Sequence, residues 1–198
     1  MAHYYTNNID LKSEETHIHF QYRGHDIVFV SDYGVFSKDK IDYGTRVLLD
    51  VMDISDQKKR LLDVGCGYGT IGIALKKIYS HLEVEMVDVN ERAIHLANES
   101  IKYNNLQDIV AYKSCVYENV KGSFDIIVSN PPIRAGKKVV FEILEDAYHF
   151  LNKSGELIVV IQKKQGAPSA KKKMEEVFGN CEIIKRDKGY FVLKSVMR

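Results

Sequence analysis

The segment LLDVGCGYGTIGIAL, residues 61–75, limits the possible folds more than any other part of the sequence. A short apolar run ends at Asp63, glycines follow at alternate positions, and an amphipathic helix pattern comes next. Glycine permits backbone conformations that other residues avoid, and it lets a ligand approach the main chain closely. The first turn of the helix behind it has unpaired N–H groups. The segment therefore predicts a buried strand, a ligand-binding turn and a helix.

Strand and helix patterns alternate from residue 60 to the C-terminus. Apolar runs such as EVEMVDV, FDIIVSN and ELIVVIQ are separated by amphipathic segments, which is typical of parallel strands joined by right-handed crossovers. A turn is expected at Asn152–Gly155, and a final hairpin across Lys188-Gly189 should add one antiparallel strand. We expect an α/β fold, with a doubly wound, mostly parallel sheet of seven strands and helices on both faces.

The N-terminal part of the chain has a different pattern. The alternating segments THIHFQY and DIVFVS predict a β-hairpin extension across Arg23–His25. The length of 198 residues suits one domain, so we expect a single domain, 1–198, with the extension at 1–33 and the core at 34–198. The polar N-terminus has no signal-peptide pattern and no apolar run reaches about 20 residues, so we expect a cytoplasmic protein with no membrane contact.

The cysteines and histidines do not indicate a metal site. Cys66, Cys115 and Cys181 are far apart and form no C-x-x-C pair, which argues against a disulfide framework and against zinc. His17 and His19 fall on one face of a predicted strand, but two isolated histidines are more often surface residues than ligands. We therefore expect no metal.

The spacing of Gly65, Gly67 and Gly69 selects among ligands of the predicted turn. A dinucleotide-binding turn requires G-x-G-x-x-G, but Thr70 occupies the third glycine position, and no Gly-Lys-Ser/Thr follows as a phosphate-binding loop requires. The carboxylate of Asp63 would also repel a pyrophosphate. An acid at this place suits a positively charged group, such as the amino group of a methionine moiety.

Asp88 ends the next predicted strand, 19 residues after Gly69. This offset matches that of a carboxylate that binds ribose hydroxyls, with a helix cap before Asn90 as the alternative. Cys115 and Val116 are predicted to end the third strand, where they would flank an adenine; a core cysteine is the alternative.

The sequence Asn130-Pro131-Pro132 follows a predicted buried strand, where open α/β sheets bind their ligands. The prolines stiffen the turn and lack N–H donors, so hydrogen-bond acceptors dominate: the side-chain oxygen of Asn130 and nearby carbonyls. If both hydrogens of an exocyclic amine bond to acceptors, the pyramidal form of the amine is favoured, in which the nitrogen lone pair points at the methyl group of a donor. The alternative is a rigid turn that begins a helix.

Together, the glycine turn and Asn130-Pro131-Pro132 resemble the class I S-adenosylmethionine-dependent methyltransferases that modify exocyclic or amide nitrogens. In their usual motif the fourth residue is aromatic and would stack on the target base, whereas this chain has Ile133. GVFSKDKIDYGTRVLL (34–49) and SNPPIRAGK are similar to the ribosomal RNA small-subunit methyltransferase C family, in a short stand-alone form without the additional N-terminal domain of longer members. That family methylates the 2-amino group of guanine in 16S ribosomal RNA.

The resemblance implies roles for individual residues. S-adenosylmethionine would be the cofactor, and ribosomal RNA or the small ribosomal subunit the partner. Phe36, Asp42, Gly44 and Thr45 would line the methionine end of the cofactor site. The amino-acid part would contact Asp63, Gly65, Cys66, Gly67 and Gly69, and the nucleoside part would contact Asp88, Val89, Cys115 and Val116. Asn130, Pro131 and Pro132 would be the catalytic residues, and Asn130 would orient the target amine and also border the cofactor.

Charge is unevenly distributed along the chain. Residues 134–198 contain 14 Lys/Arg against 8 Asp/Glu, whereas residues 1–133 contain 14 against 19. A basic C-terminal third suits a phosphate backbone. Ile133, Arg134, Lys137 and Lys138 are the predicted substrate-binding residues, and Lys163-Lys164 with Lys171–Lys173 could extend the basic track. A merely solvated helix face is the alternative for these lysines.

Other functions remain open at this point. A protein glutamine-amide methyltransferase uses a similar turn, but Ile133 and the basic C-terminal third argue against it. A small-molecule N-methyltransferase would need a lid, for which we find no insertion. A non-catalytic RNA-binding module would have no need to keep the glycine turn and Asn130 intact.

Overall fold

The computed structural model describes residues 14–33, 35, 37 and 39–198. In this part of the chain the strands are β1 (Thr16–Tyr22), β2 (His25–Ser31), β3 (Arg60–Val64), β4 (Glu83–Asp88), β5 (Ile109–Lys113), β6 (Phe124–Ser129), β7 (Leu151–Gln162), β8 (Glu182–Asp187) and β9 (Tyr190–Val196). The α-helices are α1 (Tyr43–Val51), α2 (Thr70–Ile78), α3 (Glu91–Tyr103), α4 (Lys137–Phe150) and α5 (Ala167–Phe178). Short 3-10 turns lie at Ile133–Ala135 and Lys163–Gln165.

The main sheet has seven strands in the order β5-β4-β3-β6-β7-β9-β8. Strands β3 to β7 pair in parallel, while β9 pairs antiparallel with both β7 and β8. The fold class predicted from the sequence is therefore confirmed, including the final hairpin with its one antiparallel strand. The chain runs outwards from β3 to β5 and then crosses back to β6, so the direction of winding changes between β3 and β6. Ligands of open α/β sheets bind at the carboxyl ends of strands at such a point.

Both faces of the sheet are covered, because its central strands bury side chains in both directions. Leu61 of β3 packs in a cluster with α1, α2, α3 and the N-terminal hairpin, whereas its neighbour Leu62 packs with α4 and α5. Adjacent strand residues point to opposite faces, so an uninterrupted apolar run is what a sheet between two helix layers requires.

The hairpin β1–β2 forms a separate two-stranded sheet that packs on α3. The free edge of β2 bonds to side chains of that helix: Val30 N donates to Ser100 Oγ at 2.9 Å, and Val28 N donates to Asn104 Oδ1 at 3.1 Å. These contacts satisfy edge groups that would otherwise need another strand. The predicted hairpin is present, while the predicted domain boundary at residue 33 stays a prediction.

Two local predictions differ from the structure. β5 ends at Lys113, so Cys115 and Val116 lie in the following loop and not on the strand; Val116 has a positive φ of 48°. The turn predicted at Asn152–Gly155 is absorbed into the long strand β7 as a bulge opposite β6. It remains in the strand because Ser154 N donates to Met197 O at 2.9 Å and Met197 N donates to Gly155 O at 2.9 Å.

Candidate active site

A cavity of about 510 Å³ lies at the carboxyl edge of the sheet, on both sides of the β3–β6 boundary. Its size is in the range of cofactor sites. The structure brings most of the predicted site residues to its walls, namely Asp42, Thr45, Gly65, Cys66, Gly67, Asp88, Val89, Cys115, Val116, Asn130, Pro131, Pro132, Ile133 and Arg134. Phe36 lies outside the described residues.

The glycine turn forms one wall of the cavity. Gly67 has a φ of 56°, and a Cβ there would meet no atom within 4 Å, so its main chain borders open space. Gly69, with a φ of 90°, lies behind the turn as the N-cap of α2, and a Cβ there would come within 2.8 Å of Ile73 Cδ1. Of the two, Gly67 is placed to border a ligand, whereas Gly69 is favoured by the left-handed backbone at the start of α2.

Asp63 lies beneath the turn and does not line the cavity. Its side chain is fully buried, and its Oδ2 accepts a hydrogen bond from Gly72 N at 2.9 Å. Oδ1 has no hydrogen-bond partner in the described part of the chain. Burial, opposed by the Gly72 hydrogen bond, raises the pKa of Asp63 to about 7. The carboxyl group thus holds the start of α2, and any effect on a ligand would pass through the turn.

Asp88 reaches the cavity from the end of β4. Its Oδ2 accepts from Gly67 N at 2.9 Å and its Oδ1 accepts from Asn90 N at 2.9 Å, so the carboxylate also shapes the glycine turn. The cap of α3 is formed by Asn90, whose Oδ1 accepts from Arg92 N at 3.0 Å. Burial raises the pKa of Asp88 above its usual value. Because each carboxylate oxygen can accept more than one hydrogen bond, Asp88 retains capacity for a ligand in the cavity.

Apolar side chains border the cavity near Asp88. Val89 is 38% exposed although it is a large aliphatic residue, and Val116 and Ala93 line the same space. Cys115 is exposed and also lines the cavity. An exposed valine beside a half-buried carboxylate suits a ligand with a flat apolar ring joined to a polar sugar. The residues present therefore fit an adenosine group.

Asn130 is held in one orientation by two residues from the start of α1. Its Nδ2 donates to Asp42 Oδ2 at 3.0 Å and to Thr45 Oγ1 at 3.1 Å. Both partners accept here, so the amide nitrogen faces them, and no described residue donates to Asn130 Oδ1. Asp42 and Thr45, predicted to contact the methionine end of the cofactor, line the cavity but make these contacts with Asn130.

The turn Asn130–Pro132 lies against the glycine turn. Pro132 Cδ is 3.6 Å from where a Cβ of Gly65 would stand, and Ser129 Oγ donates to Val64 O at 2.7 Å. These contacts join the ends of β3 and β6. A ligand on the glycine turn and a group bound at Asn130 would consequently be neighbours.

The predicted substrate-binding residues separate into two groups. Ile133 and Arg134 line the cavity, and Arg134 is exposed. Lys137 and Lys138 lie outside it, exposed at the start of α4; the Nζ of Lys137 is 4.8 Å from the centre of the Phe141 ring and borders a smaller adjoining groove. They are close to the cavity but belong to its surroundings.

The rest of the predicted basic track is only partly available. Lys163 and Lys164 are exposed in a 3-10 turn beside the cavity. Lys171, Lys172 and Lys173 are each paired with a carboxylate; Lys173 Nζ lies 2.7 Å from Glu145 Oε1, and the other two pair with glutamates one helical turn later. These ion pairs reduce the charge that α5 presents to a phosphate, and the extension of the track to α5 stays a prediction.

The predicted residue Gly44 does not line the cavity, but it lies next to residues that do. A Cβ at Gly44 would come within 2.8 Å of Tyr190 Cε1 and 3.0 Å of Asp42 Oδ2.

Several residues that line the cavity were not predicted from the sequence, among them Tyr190 and Gln165. Neither is part of a motif, and both are distant in sequence from Asn130. The available signal was topological: Tyr190 opens β9, opposite Gln162 at the carboxyl end of β7.

The described residues contain no helix long and apolar enough to span a bilayer. They also contain no cluster of three or more His, Cys, Asp or Glu side chains arranged to bind a metal ion.

Comparison with known proteins identifies the family. Residues 26–194 match the model of the methyltransferase small domain. The uncharacterized protein YbxB of Bacillus subtilis is 44% identical over 98% of this chain and 97% of its own length. A ribosomal RNA small subunit methyltransferase C of Haemophilus influenzae is 35% identical over 86% of this chain and 51% of its own length. The chain thus spans about half the length of the curated ribosomal RNA methyltransferases it matches.

Solved structures show the same architecture. The 16S rRNA N2 methyltransferase of T. thermophilus, in complex with AdoMet and guanosine, superposes with a TM-score of 0.82 and 25% identity over 95% of this chain and 52% of that one. A methyltransferase of Pyrococcus furiosus superposes with a TM-score of 0.67 and 22% identity over 76% of this chain and 80% of that one, which shows the fold. The chain therefore belongs to the methyltransferase small domain family, whose cofactor is S-adenosylmethionine.

Proposed function

We propose that this chain transfers a methyl group to the 2-amino group of a guanine in 16S ribosomal RNA. The observation that carries the proposal is the fixed amide of Asn130, whose nitrogen is held by Asp42 and Thr45 so that its oxygen is left for a donor in the cavity. An amide fixed in this way accepts a hydrogen bond without reorganising. An exocyclic amine is a donor that such an acceptor would select.

Asn130 would accept one N–H of the target amine and so direct the lone pair of the amine nitrogen. The prolines that follow offer no competing N–H donor. A second acceptor would come from a main-chain carbonyl of the same turn. The oriented amine would receive the methyl group from the sulfur of the donor, so that one S–C bond is exchanged for one N–C bond, and would then release one proton to water. Positioning and fixed dipoles, and not a strong base, supply the rate enhancement.

S-adenosylmethionine supplies an electrophilic methyl group when bound. Asp88 would bind the ribose hydroxyls, and Val89, Cys115 and Val116 would surround the adenine. The main chain at Gly65–Gly67 would border the amino-acid part. These assignments agree with the cavity walls, and the contact between Pro132 and the glycine turn would bring the sulfonium close to Asn130.

The choice of guanine in RNA is supported by relatives. Several proteins named ribosomal RNA small subunit methyltransferase C align with most of this chain, and the T. thermophilus structure holds guanosine together with AdoMet. Arg134, Lys137 and Lys138 would contact phosphates around the flipped or unpaired nucleotide. A ribosomal substrate would also place the enzyme in the cytoplasm.

The test is to incubate the protein with methyl-labelled S-adenosylmethionine and, separately, small ribosomal subunits, free 16S RNA and ribosomal proteins, and then to map the label. We expect label on guanine N2 in RNA from one of the first two samples. Asn130→Ala should abolish transfer and leave cofactor affinity within about twofold, because the proposed role of its side-chain oxygen is to accept a hydrogen bond from the amine. Asn119→Ala is the matched control, since that exposed asparagine lies outside the cavity.

Label found only on protein would favour a glutamine-amide methyltransferase. Full activity of Asn130→Ala would refute the amine-orienting role. Absence of cofactor binding by calorimetry would leave the non-catalytic RNA-binding module as the better interpretation.

A further inference from the structure

The cavity lacks an aromatic residue where the related motif has one. Ile133 follows Pro132 and offers only aliphatic contact. Two aromatic residues in the described part of the chain line the cavity, Tyr68 and Tyr190. Tyr68 is 3% exposed and its hydroxyl donates to Ser37 O at 3.0 Å, so it forms part of the core. Tyr190 is only half-buried and is the ring available to a ligand.

The ring of Tyr190 is held in place from behind. Its Cδ1–Cε1 edge lies over Gly44, at 3.0 and 2.8 Å from where a Cβ would stand, so only glycine leaves room for the ring. The ring of Tyr43 supports it at a centroid distance of 5.8 Å and an angle of 50°. Tyr190 also occupies the first position of β9, where main-chain pairing with Gln162 fixes the backbone. A ring with this support loses little entropy when a ligand stacks on it.

We propose that Tyr190 is the surface on which the target guanine stacks, in place of the aromatic residue that Ile133 does not supply; this inference rests on the proposed function. Tyr190 lines the same cavity as Asn130. Gly44 lies between them: a Cβ there would contact both the Tyr190 ring and the carboxylate of Asp42, which accepts a hydrogen bond from Asn130. A base between Tyr190 and Ile133 would present its exocyclic amine to Asn130.

The hydroxyl of Tyr190 has no hydrogen-bond partner in the part of the chain that the structure describes. Burial and the nearby carboxylate of Asp42 raise the pKa of Tyr190, so the ring remains a neutral phenol at ordinary pH. It therefore brings no negative charge against an RNA backbone, and the hydroxyl can donate to a base or ribose acceptor.

The first test uses the absence of tryptophan from the chain. Tyr190→Trp introduces a single indole, and stacking of guanosine on it should quench its fluorescence in a saturable titration. Tyr103→Trp, at an exposed position outside the cavity, is the matched control and should show no saturable quenching. The titration needs no catalysis, so it separates this inference from the proposed function.

The second test moves the aromatic ring. Tyr190→Ala should raise KM for the RNA substrate and the Kd for guanosine about 5- to 100-fold, as expected for loss of base stacking, and should leave the Kd for S-adenosylmethionine within about twofold. Tyr190→Phe should retain most of the affinity. Adding Ile133→Tyr to Tyr190→Ala should restore guanosine binding, a rescue that a merely structural role of Tyr190 would not produce.

The outcomes are separable. Guanosine quenching of Tyr190→Trp, together with the rescue, supports the inference even if ribosomal RNA proves not to be the substrate. No quenching, or unchanged guanosine affinity in Tyr190→Ala, overturns the inference while the proposed function stands on its own labelling experiment. A loss of cofactor affinity in Tyr190→Ala would also overturn it, because the ring would then belong to the cofactor site.

Discussion

The buried carboxyl group of Asp63 should make the stability of this protein depend on pH, in the opposite direction to an ordinary ion-paired acid. Its pKa is about 7 in the folded protein against a usual value of 3.8, mainly because burial penalises the charged form. The folded chain therefore keeps a proton that the unfolded chain has already released. Between these two pH values the free energy of unfolding falls as pH rises.

The size of the effect follows from the shift. About three pKa units at 1.36 kcal/mol each amount to about 4 kcal/mol. This stability is fully present below the unfolded pKa and is lost as pH rises through about 7, so more than half of the loss falls between about pH 5 and pH 8. Asp63→Asn keeps an oxygen for Gly72 N but does not titrate. Its new amide N–H groups are buried without partners, which costs about 1–3 kcal/mol at every pH.

The assay is urea unfolding of the wild type and Asp63→Asn at several pH values in this range. We expect the free energy of unfolding of Asp63→Asn, relative to that of the wild type, to increase by about 2–3 kcal/mol from about pH 5 to pH 8. Asp125→Asn is the matched control on β6. Burial acts to raise the pKa of Asp125, but hydrogen bonds from the backbone N–H groups of Lys59 and Arg60 help to lower it overall. The stability difference between wild type and Asp125→Asn should therefore stay constant in this window. Parallel curves for wild type and Asp63→Asn would refute the reasoning.

Three further predictions concern the cavity and its rim. Asp42→Ala removes one acceptor of the Asn130 amide and should lower kcat about tenfold, with little added loss when combined with Asn130→Ala; additive losses would show that Asp42 acts independently. Asp88→Ala should raise the cofactor Kd about 10- to 100-fold in calorimetry, and unaltered affinity would reject the ribose assignment. Charge reversal of Lys137 and Lys138 to Glu should weaken RNA binding and lower its salt slope by about 0.7 per lost phosphate contact, whereas an unchanged slope would indicate a solvated helix face.

Local signals in the sequence predicted the elements of the fold well. Apolar runs of β3, β4, β6 and β7 match strands buried on both faces, and the amphipathic segments between them match the helices. The glycine turn and Asn130–Pro132 could be placed at the carboxyl edge because parallel strands end there together. These predictions depend on residues that are close in sequence.

Contacts across long sequence separations were not accessible in this way. Asp42 and Asn130 are 88 residues apart, and nothing in either segment indicates that one carboxylate would hold the other amide. Tyr190 reaches the cavity because β9 runs antiparallel beside β7 and begins at the carboxyl edge. The position of Asp63 beneath the turn depends on the direction of its side chain, which a one-residue change of register would reverse.

These distant contacts connect the start of α1 with two parts of the cavity. One oxygen atom, Asp42 Oδ2, accepts both from Thr45 N, as the N-cap of α1, and from Asn130 Nδ2. The same turn contains Gly44, whose missing Cβ leaves room for Asp42 and for the ring of Tyr190. The start of α1 therefore orients the Asn130 amide and leaves the space that the Tyr190 ring occupies. We therefore expect a substitution of Asp42 or Gly44 to affect both proposed roles, the orientation of the target amine by Asn130 and base stacking on Tyr190, although neither of those two side chains lies on α1.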